Sequence, residues 1–207
     1  MLDNVRVMPQ IWAEPAERAV LGRLRTPAAK LGEHERARIA QIMRQAVEHC
    51  CCRACYGVTA INFDCNVITL ADGTQWRSQG LADNLAGAGS VVMFAVTAGS
   101  AVIEAAAREM AESESLRGAV FDAVGSEAVE QAADELEAHL RAEFARRGMV
   151  LSDRRFSPGY GDWSLSAQQD FFRLLPLEAS LGLRLSKELM ITPPKTITAV
   201  IGVRSRV

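Results

Sequence analysis

Apolar residues in the first fifty positions recur at the three- and four-residue spacing of α-helices. The clearest case is a set that shares one helical face: Ile39, Ile42, Met43 and Ala46. This spacing predicts a helix from Glu33 to about His49. A shorter helical stretch is predicted from Pro15 to Leu24, because proline is favoured in the first turn of a helix.

The hydrophobic pattern then changes to that of β-strands. Residues 56–63, 67–70 and 196–203 are rich in β-branched and aromatic residues, which favour strands. Asp72-Gly73 predicts a turn after the second of these runs. Residues 91–96 are apolar at every position, which is typical of a strand buried on both faces.

Helical patterns return between and after the later strands. Gly125-Ser126 is expected to bend or interrupt the longest of them, and residues 166–169 have the composition of a capping box at the start of another. The predicted helices are Ser78 to Leu85, an Ala-rich segment that ends near Glu112, Leu116 to Arg147, and a segment from Ser166 to about Leu175.

These elements mix strands and helices without the strict alternation of a parallel α/β protein. The predicted fold class is therefore α+β. Residues 181–190 are predicted to be irregular or strand-like. We expect one continuous domain over residues 1–207, with a weak internal division near residue 90.

Composition narrows the possible classes of function. The chain has 207 residues, with 23 Lys and Arg against 25 Asp and Glu, which gives a formal net charge of −2. That balance lacks the basic excess of a nucleic-acid-binding protein. The sequence has no run of eighteen apolar residues, which a membrane-spanning helix would need, and its first residues lack the pattern of a secretory signal. We therefore expect a folded cytoplasmic protein that binds neither nucleic acid nor membrane.

The sequence contains five cysteines, and an odd number without a secretory signal argues against a disulfide framework. They are Cys50, Cys51, Cys52, Cys55 and Cys65. Cys52 and Cys55 form a CxxC pair, but no second pair with the spacing of a zinc site occurs. We interpret the cluster as small apolar packing residues in a reducing cell, and we predict no metal ligand. A metal site and a redox dithiol are the alternatives.

The loop after residue 154 carries the strongest functional signal. Arg155, Tyr160, Asp162 and Trp163 lie within nine residues, together with Pro158 and two glycines. Loops of this kind let a ligand approach the backbone, and an arginine can bind a carboxylate through two hydrogen bonds. The alternative is a structural loop with a buried tryptophan and one surface ion pair. Neither a dinucleotide-binding GxGxxG motif nor a P-loop occurs.

The run from Arg155 to Trp163, Arg-Phe-Ser-Pro-Gly-Tyr-Gly-Asp-Trp, is followed by Gln168. It resembles the signature of cobalamin-dependent methionine synthase activation domains, in their short stand-alone branch. The resemblance extends from about Val91 to Val203, whereas residues 1–90 match loosely. Three more stretches carry it: Phe94 to Gly99, Asp122 to Glu130, and Pro194 to Thr198.

The resemblance implies a fold and a chemistry. The fold is a mixed or antiparallel sheet packed with several helices. The domain binds S-adenosylmethionine over a cobalamin that a partner, a cobalamin-binding methyltransferase core, carries in its inactive Co(II) state. A flavodoxin-type donor supplies one electron, and the methyl group moves from the sulfonium to cobalt. The domain's task is then to position the methyl donor during reductive reactivation, as a component of methionine biosynthesis.

The resemblance also implies roles for individual residues. Arg155 pairs with the carboxylate of the ligand, and Tyr160 lies near the methyl donor and the corrin, which makes it the catalytic candidate. Asp134 faces the amino group of the ligand, with Glu130, one turn earlier, as the alternative. Ser157, Pro158 and Gly159 complete the predicted cofactor-binding residues, and Gly159 is expected to let the backbone approach the ligand.

Two departures from the family pattern keep other functions open. The full activation domains continue after Gly-Tyr with Pro-Ala-Cys-Pro, where this sequence has Gly161 to Ser164, and they extend beyond the last predicted strand. One alternative is a non-catalytic cap that binds a corrinoid protein without a methyl donor of its own. The other is a metal or redox protein that uses the cysteine cluster on the same fold.

Overall fold

A computed structural model describes residues 2, 4–112 and 114–206 of the chain. Its strands are β1 (Arg6–Met8), β2 (Arg53–Asp64), β3 (Val67–Leu70), β4 (Gln75–Arg77), β5 (Ser90–Thr97), β6 (Met149–Leu151), β7 (Arg184–Leu185), β8 (Ile191–Thr192) and β9 (Thr196–Ser205). Its helices are α1 (Glu17–Arg23), α2 (Glu33–Glu48), α3 (Gln79–Asn84), α4 (Ala101–Ala111), α5 (Ser115–Ala145), α6 (Gln168–Leu174) and α7 (Leu177–Leu181). Two short 3₁₀ turns cover Ala28–Lys30 and Leu165–Ala167.

Seven strands form one antiparallel sheet. Its order is β4-β3-β2-β5-β9-β6, and β1 pairs with the first part of β2 on the same edge as β3. The remaining two strands, β7 and β8, form a separate hairpin. Helices pack on this sheet without alternating with its strands, so the α+β class predicted from the sequence is confirmed.

The two faces of the sheet pack against different sets of helices. On β5, Val92, Phe94 and Val96 lie on the face that packs against α5, and Val102 of α4 belongs to the same cluster. Met93 and its neighbours on the opposite face pack against α3, α6 and α7. Because side chains alternate along a strand, a strand covered on both sides must be apolar at every position. Every residue from Val91 to Val96 is buried, as the continuous apolar run predicted.

The long helix differs from its prediction, because α5 continues through Gly125 and Ser126 without a break. A Cβ at Gly125 would lie 3.1 Å from a methyl group of Val102, so the glycine allows α4 to pack closely. The Ser126 hydroxyl donates a hydrogen bond to the Asp122 carbonyl oxygen within the helix. This glycine therefore serves helix packing and does not end the helix.

One prediction in the last third of the chain was wrong in detail, and another was correct. The helix expected to begin with a capping box at Ser166 begins instead as a 3₁₀ turn, because the Ser164 hydroxyl accepts a hydrogen bond from the Ser166 N–H. The segment of residues 181–190 is irregular or strand-like, as predicted, apart from Leu181 at the end of α7; it contains β7 and the turn that leads to β8. Within the described residues, no helix is both long and apolar enough to cross a membrane.

The contact between α4 and α5 predicts opposite effects for two Gly→Ala substitutions. At Gly118, a Cβ would overlap Met110 Cγ and lie 3.0 Å from the Ala106 carbonyl oxygen, whereas at Gly22 in α1 no atom beyond the neighbouring backbone of the same helix lies within 4 Å of that position. Alanine favours a helix over glycine by about 1 kcal/mol, and overpacking costs about 1–3 kcal/mol. We expect Gly118→Ala to lower the free energy of unfolding by roughly 1 kcal/mol and Gly22→Ala to raise it by up to about 1 kcal/mol. Urea denaturation measures both, and equal effects of the two substitutions would contradict the packing described.

Candidate functional site

The outer edge of β9 is covered along only part of its length. β6 pairs with the end of β9 from Val203 to Ser205, and the Phe156 backbone forms a two-way bridge with Val200. The Ser152 N–H also donates to the Gly202 carbonyl oxygen at 2.8 Å. Beyond this bridge, the first residues of β9 have no neighbouring strand on that edge within the described part of the chain.

The register shows which backbone groups face this uncovered edge. In an antiparallel strand, alternate residues direct their N–H and C=O groups to the same side. Val200 and Gly202 bond toward the outer edge, so the backbone groups of Thr196 and Thr198 point the same way. Among the described residues, no backbone partner meets the N–H or C=O of Thr198 on that side. The edge therefore offers a hydrogen-bond donor and acceptor to a ligand.

A cavity of about 880 Å³ lies at this edge. It is bounded by the start of β9, by the loop of residues 154–160, by α3, and by single residues of α5 and α6. Its lining residues are Gly80, Asp83, Asn84, Glu130, Arg154, Arg155, Phe156, Ser157, Pro158, Tyr160, Gln168, Thr196, Ile197 and Thr198. The volume falls in the range of small-molecule binding sites, about 300–1,000 Å³.

A buried aromatic cluster anchors the loop beside the cavity. Trp163 is buried, and its ring centroid lies 5.0 Å from that of Trp76, 6.1 Å from Phe156 and 6.3 Å from Phe171. Gly159 has φ +87°, and a Cβ there would meet the side chain of Leu165 at 3.2 Å. The turn requires this glycine for its left-handed conformation.

Asp162 ties the same loop to the start of α3. Its carboxylate accepts hydrogen bonds from the Ser78 hydroxyl, from the Gln79 N–H at 2.6 Å and from the Gly80 N–H at 3.1 Å. The Ser78 hydroxyl in turn caps α3 by accepting from the Leu81 N–H. The hydrogen bond from Ser78, followed by that from Gln79, lowers the pKa of the Asp162 carboxyl.

Arg155 is bound to three carboxylates on one face of α5. Its Nη1 lies 2.6 Å from both Asp134 Oδ1 and Glu137 Oε1, and its Nη2 lies 2.8 Å from Glu130 Oε2. Burial by itself lowers the pKa of Arg155, but the hydrogen bonds to Asp134 and Glu137 outweigh it, so this pKa lies above its usual value. Arg155 therefore holds the loop against α5.

The structure brings most of the predicted site residues to the cavity. Arg155, Ser157, Pro158 and Tyr160 line it, and so does Glu130, the alternative carboxylate. Tyr160 is 70% exposed, which places it at the rim. The lining includes neither Gly159, which serves the turn, nor Asp134, whose carboxylate pairs with Arg155. The ligand contacts expected of these residues remain predictions.

Several lining residues were missed by the reading of the sequence. Arg154 is exposed and lines the cavity next to Arg155, yet nothing in its sequence context distinguishes it from other surface arginines. Asp83 and Asn84 reach the cavity because Asp162 fixes α3 against the loop. Thr198 contributes through its backbone, for which the residue type carries no signal.

The cysteines lie away from this cavity. Cys52 and Cys55 are buried in the two core clusters, and all five thiols are free. Burial raises the pKa of Cys50 to about 12 and that of Cys52 to about 11, so both stay protonated near neutral pH. In the part of the chain that the structure describes, no group of three or more His, Cys, Asp or Glu residues is placed to hold a metal ion.

Comparison with known proteins identifies the class of fold. No protein-family model and no curated protein matches the sequence. The chain is similar to a solved chain described as the crystal structure of the MetH reactivation domain bound to AdoHcy, with a TM-score of 0.67. The match covers 96% of this chain and 78% of that chain, at 13% sequence identity. The likeness shows a shared fold and confirms the α+β architecture that the resemblance implied.

The pKa of Asp162 predicts how its contribution to stability depends on pH. A carboxyl whose pKa is lowered by folding stabilises the protein fully above its ordinary value of about 3.9. That contribution is lost as pH falls through the lower pKa of the folded state. We expect Asp162→Asn to reduce the free energy of unfolding at pH 6, with the difference from wild type shrinking below about pH 4. Urea denaturation at a series of pH values measures this, and a constant difference down to pH 2.5 would contradict the assignment.

The Arg155 cluster predicts a larger loss of stability than an exposed ion pair does. Arg155→Gln leaves three neighbouring carboxylates without their shared cation, and we expect a loss of about 1–3 kcal/mol at low salt. Arg173→Gln is the matched control, because Arg173 pairs with Asp72 and Asp170 but is 51% exposed. There we expect less than about 1 kcal/mol. Urea denaturation in low and in high salt tests both, and a larger loss for Arg173→Gln would overturn this ranking.

Proposed function

We propose that this protein is a stand-alone reactivation component for a cobalamin-dependent methyltransferase, and that it binds S-adenosylmethionine in the cavity beside β9. The observation that carries the proposal is the position of the loop Arg155 to Tyr160 along one wall of a cavity of about 880 Å³. The loop sequence resembles that of activation domains, and a reactivation domain bound to AdoHcy has the same fold.

The cavity has polar groups that suit this ligand. S-adenosylmethionine carries a sulfonium, an ammonium and a carboxylate, together with an adenine whose edge has both donors and acceptors. The lining provides carboxylates from Asp83 and Glu130 for positive charge, and arginines for negative charge. The uncovered backbone of Thr198 provides a donor and an acceptor for a flat polar edge.

The protein would act mainly by positioning. When bound, S-adenosylmethionine would supply the methyl group of its sulfonium and leave as the neutral thioether S-adenosylhomocysteine. The acceptor would be a partner's cobalamin, after an external donor of flavodoxin type had supplied one electron. The chain's own residues would hold the methyl donor in the orientation needed for transfer. Tyr160 projects from the rim, where a docked corrinoid protein would meet it.

A second function is favoured by one specific observation. The guanidinium of Arg155 is already bound by three protein carboxylates, so the residue expected to hold the ligand is engaged elsewhere. This arrangement suits a cap that docks on a corrinoid protein without a methyl donor of its own. Such a cap would bind a purified cobalamin-dependent methyltransferase and would show no heat of binding with S-adenosylmethionine.

Filling the cavity tests the proposed function directly. Ser157 lines the cavity, and an indole at this position would occupy the space that the ligand needs. We expect Ser157→Trp to weaken S-adenosylmethionine binding at least about tenfold by isothermal titration calorimetry. Ser205→Trp, at the exposed end of β9, is the matched control and should bind as wild type does. No binding by the wild type, or equal binding by Ser157→Trp, would contradict the proposal.

A further inference from the structure

Two arginines adjacent in the sequence line the cavity with different surroundings. The Nη atoms of Arg155 lie within 2.8 Å of carboxylate oxygens from Glu130, Asp134 and Glu137. Arg154 borders the same cavity and is exposed. Across the described part of the chain, no carboxylate lies within ion-pair distance of the Arg154 guanidinium. Only one of the two cations is therefore available to an incoming anion without competition.

A carboxylate that approached Arg155 would meet strong competition. Glu130 itself lines the cavity, so a ligand carboxylate beside Arg155 would lie close to another negative charge. Like charges a few ångströms apart repel each other, and the repulsion grows where solvent is partly excluded. Arg141 neutralises the charge of Glu137 only in part, because Arg141 Nη2 lies 3.5 Å from Glu137 Oε2. An anion is therefore expected to favour a cation with no carboxylate partner.

The backbone at Arg154 is held in place although its side chain is free. The Ser152 hydroxyl donates a hydrogen bond to the Arg154 carbonyl oxygen at 3.3 Å. Arg141 Nη2 donates to the Ser152 and Asp153 carbonyl oxygens at 2.8 and 3.2 Å. This fixes the origin of the Arg154 side chain at the wall of the cavity, so binding would order only the side chain itself.

Resting on the proposed function, we infer that Arg154, rather than Arg155, binds the carboxylate of the methyl donor. Its guanidinium presents two parallel N–H groups, which match the two oxygens of a carboxylate. Arg155 is then a positioning residue, which keeps the loop against α5 and leaves Glu130 at the cavity wall. The site thereby separates its positive group for the ligand carboxylate from its negative groups for the ligand ammonium.

A pair of ligands that differ only in the carboxylate tests this assignment. S-adenosylmethionine and its decarboxylated form share the adenosine, the sulfonium and the amine. We expect Arg154→Ala to weaken binding of S-adenosylmethionine about ten- to a hundredfold, as the loss of a charge-assisted contact predicts, and to leave binding of the decarboxylated form within about twofold. Arg184→Ala is the matched control, because the Arg184 side chain is 80% exposed and does not line the cavity.

The outcomes separate this inference from the function on which it rests. Carboxylate-dependent weakening in Arg154→Ala, absent in Arg184→Ala, would support it. Wild-type binding that Arg154→Ala leaves unchanged would overturn it, as would equal weakening of both ligands. A carboxylate-dependent loss confined to Arg155→Gln would return the carboxylate to Arg155. Binding of neither ligand by the wild type would overturn the proposed function and this assignment together.

Discussion

The incomplete cover on the outer edge of β9 is the constraint on which the site depends. β6 is three residues long and reaches only the end of β9, and the chain then crosses the edge at Phe156 before it turns away. A longer β6 would have satisfied the backbone of Thr198 and filled the cavity. Edge strands usually need protection from unwanted pairing. Here the loop of residues 154–160 bonds to the edge at Phe156 and leaves Thr198 uncovered, so the edge is covered in part and a cavity remains beside it.

Neighbouring residues of the loop differ in their electrostatic surroundings and therefore in their roles. Three carboxylates on α5 would repel one another if Arg155 did not lie among them. The same pairing keeps the loop in place, so the charge of Arg155 serves the architecture of the cavity wall. Asp162 and Trp163 act in the same way at the other end of the loop, through hydrogen bonds to α3 and through aromatic packing. The structural role of this loop is thus carried by Arg155, Asp162 and Trp163, and ligand binding by its other residues is a proposal.

The sequence predicted those parts of the fold whose burial leaves a periodic pattern. The helix predicted from a one-sided apolar pattern, α2, and the strand predicted from a continuous apolar run, β5, are both present in the structure. Each pattern reflects how many sides of the element are covered. Gly125 was misread because a glycine that admits a close helix and a glycine that ends a helix look alike in sequence. The short strands β1 and β4 were missed, since three residues show too little alternation to be recognised.

The lining of the cavity was predicted only where its residues belong to a motif. Arg155 and Tyr160 stand in the loop signature, and both line the cavity. The role of Thr198 depends on the register of β9 against Ser152 and Phe156, which no local pattern encodes. The partners of Arg155 are set by the packing of the loop on α5, so its saturation by carboxylates could not be read from composition. Arg154 becomes a candidate for anion binding only because the guanidinium of Arg155 is already paired with carboxylates.

The cavity walls also have a consequence for local unfolding. They come from segments far apart in the sequence, and the sheet separates the two hydrophobic clusters behind them. Without a bound molecule, the loop links α3 and α5 through the Asp162 hydrogen bonds and the Arg155 ion pairs, so the cavity opens locally when one of these links breaks. A molecule that touched both walls would oppose either opening. Amide hydrogen exchange would then slow together in α3, in the loop and at Glu130, because opening at either link would also require release of the bound molecule.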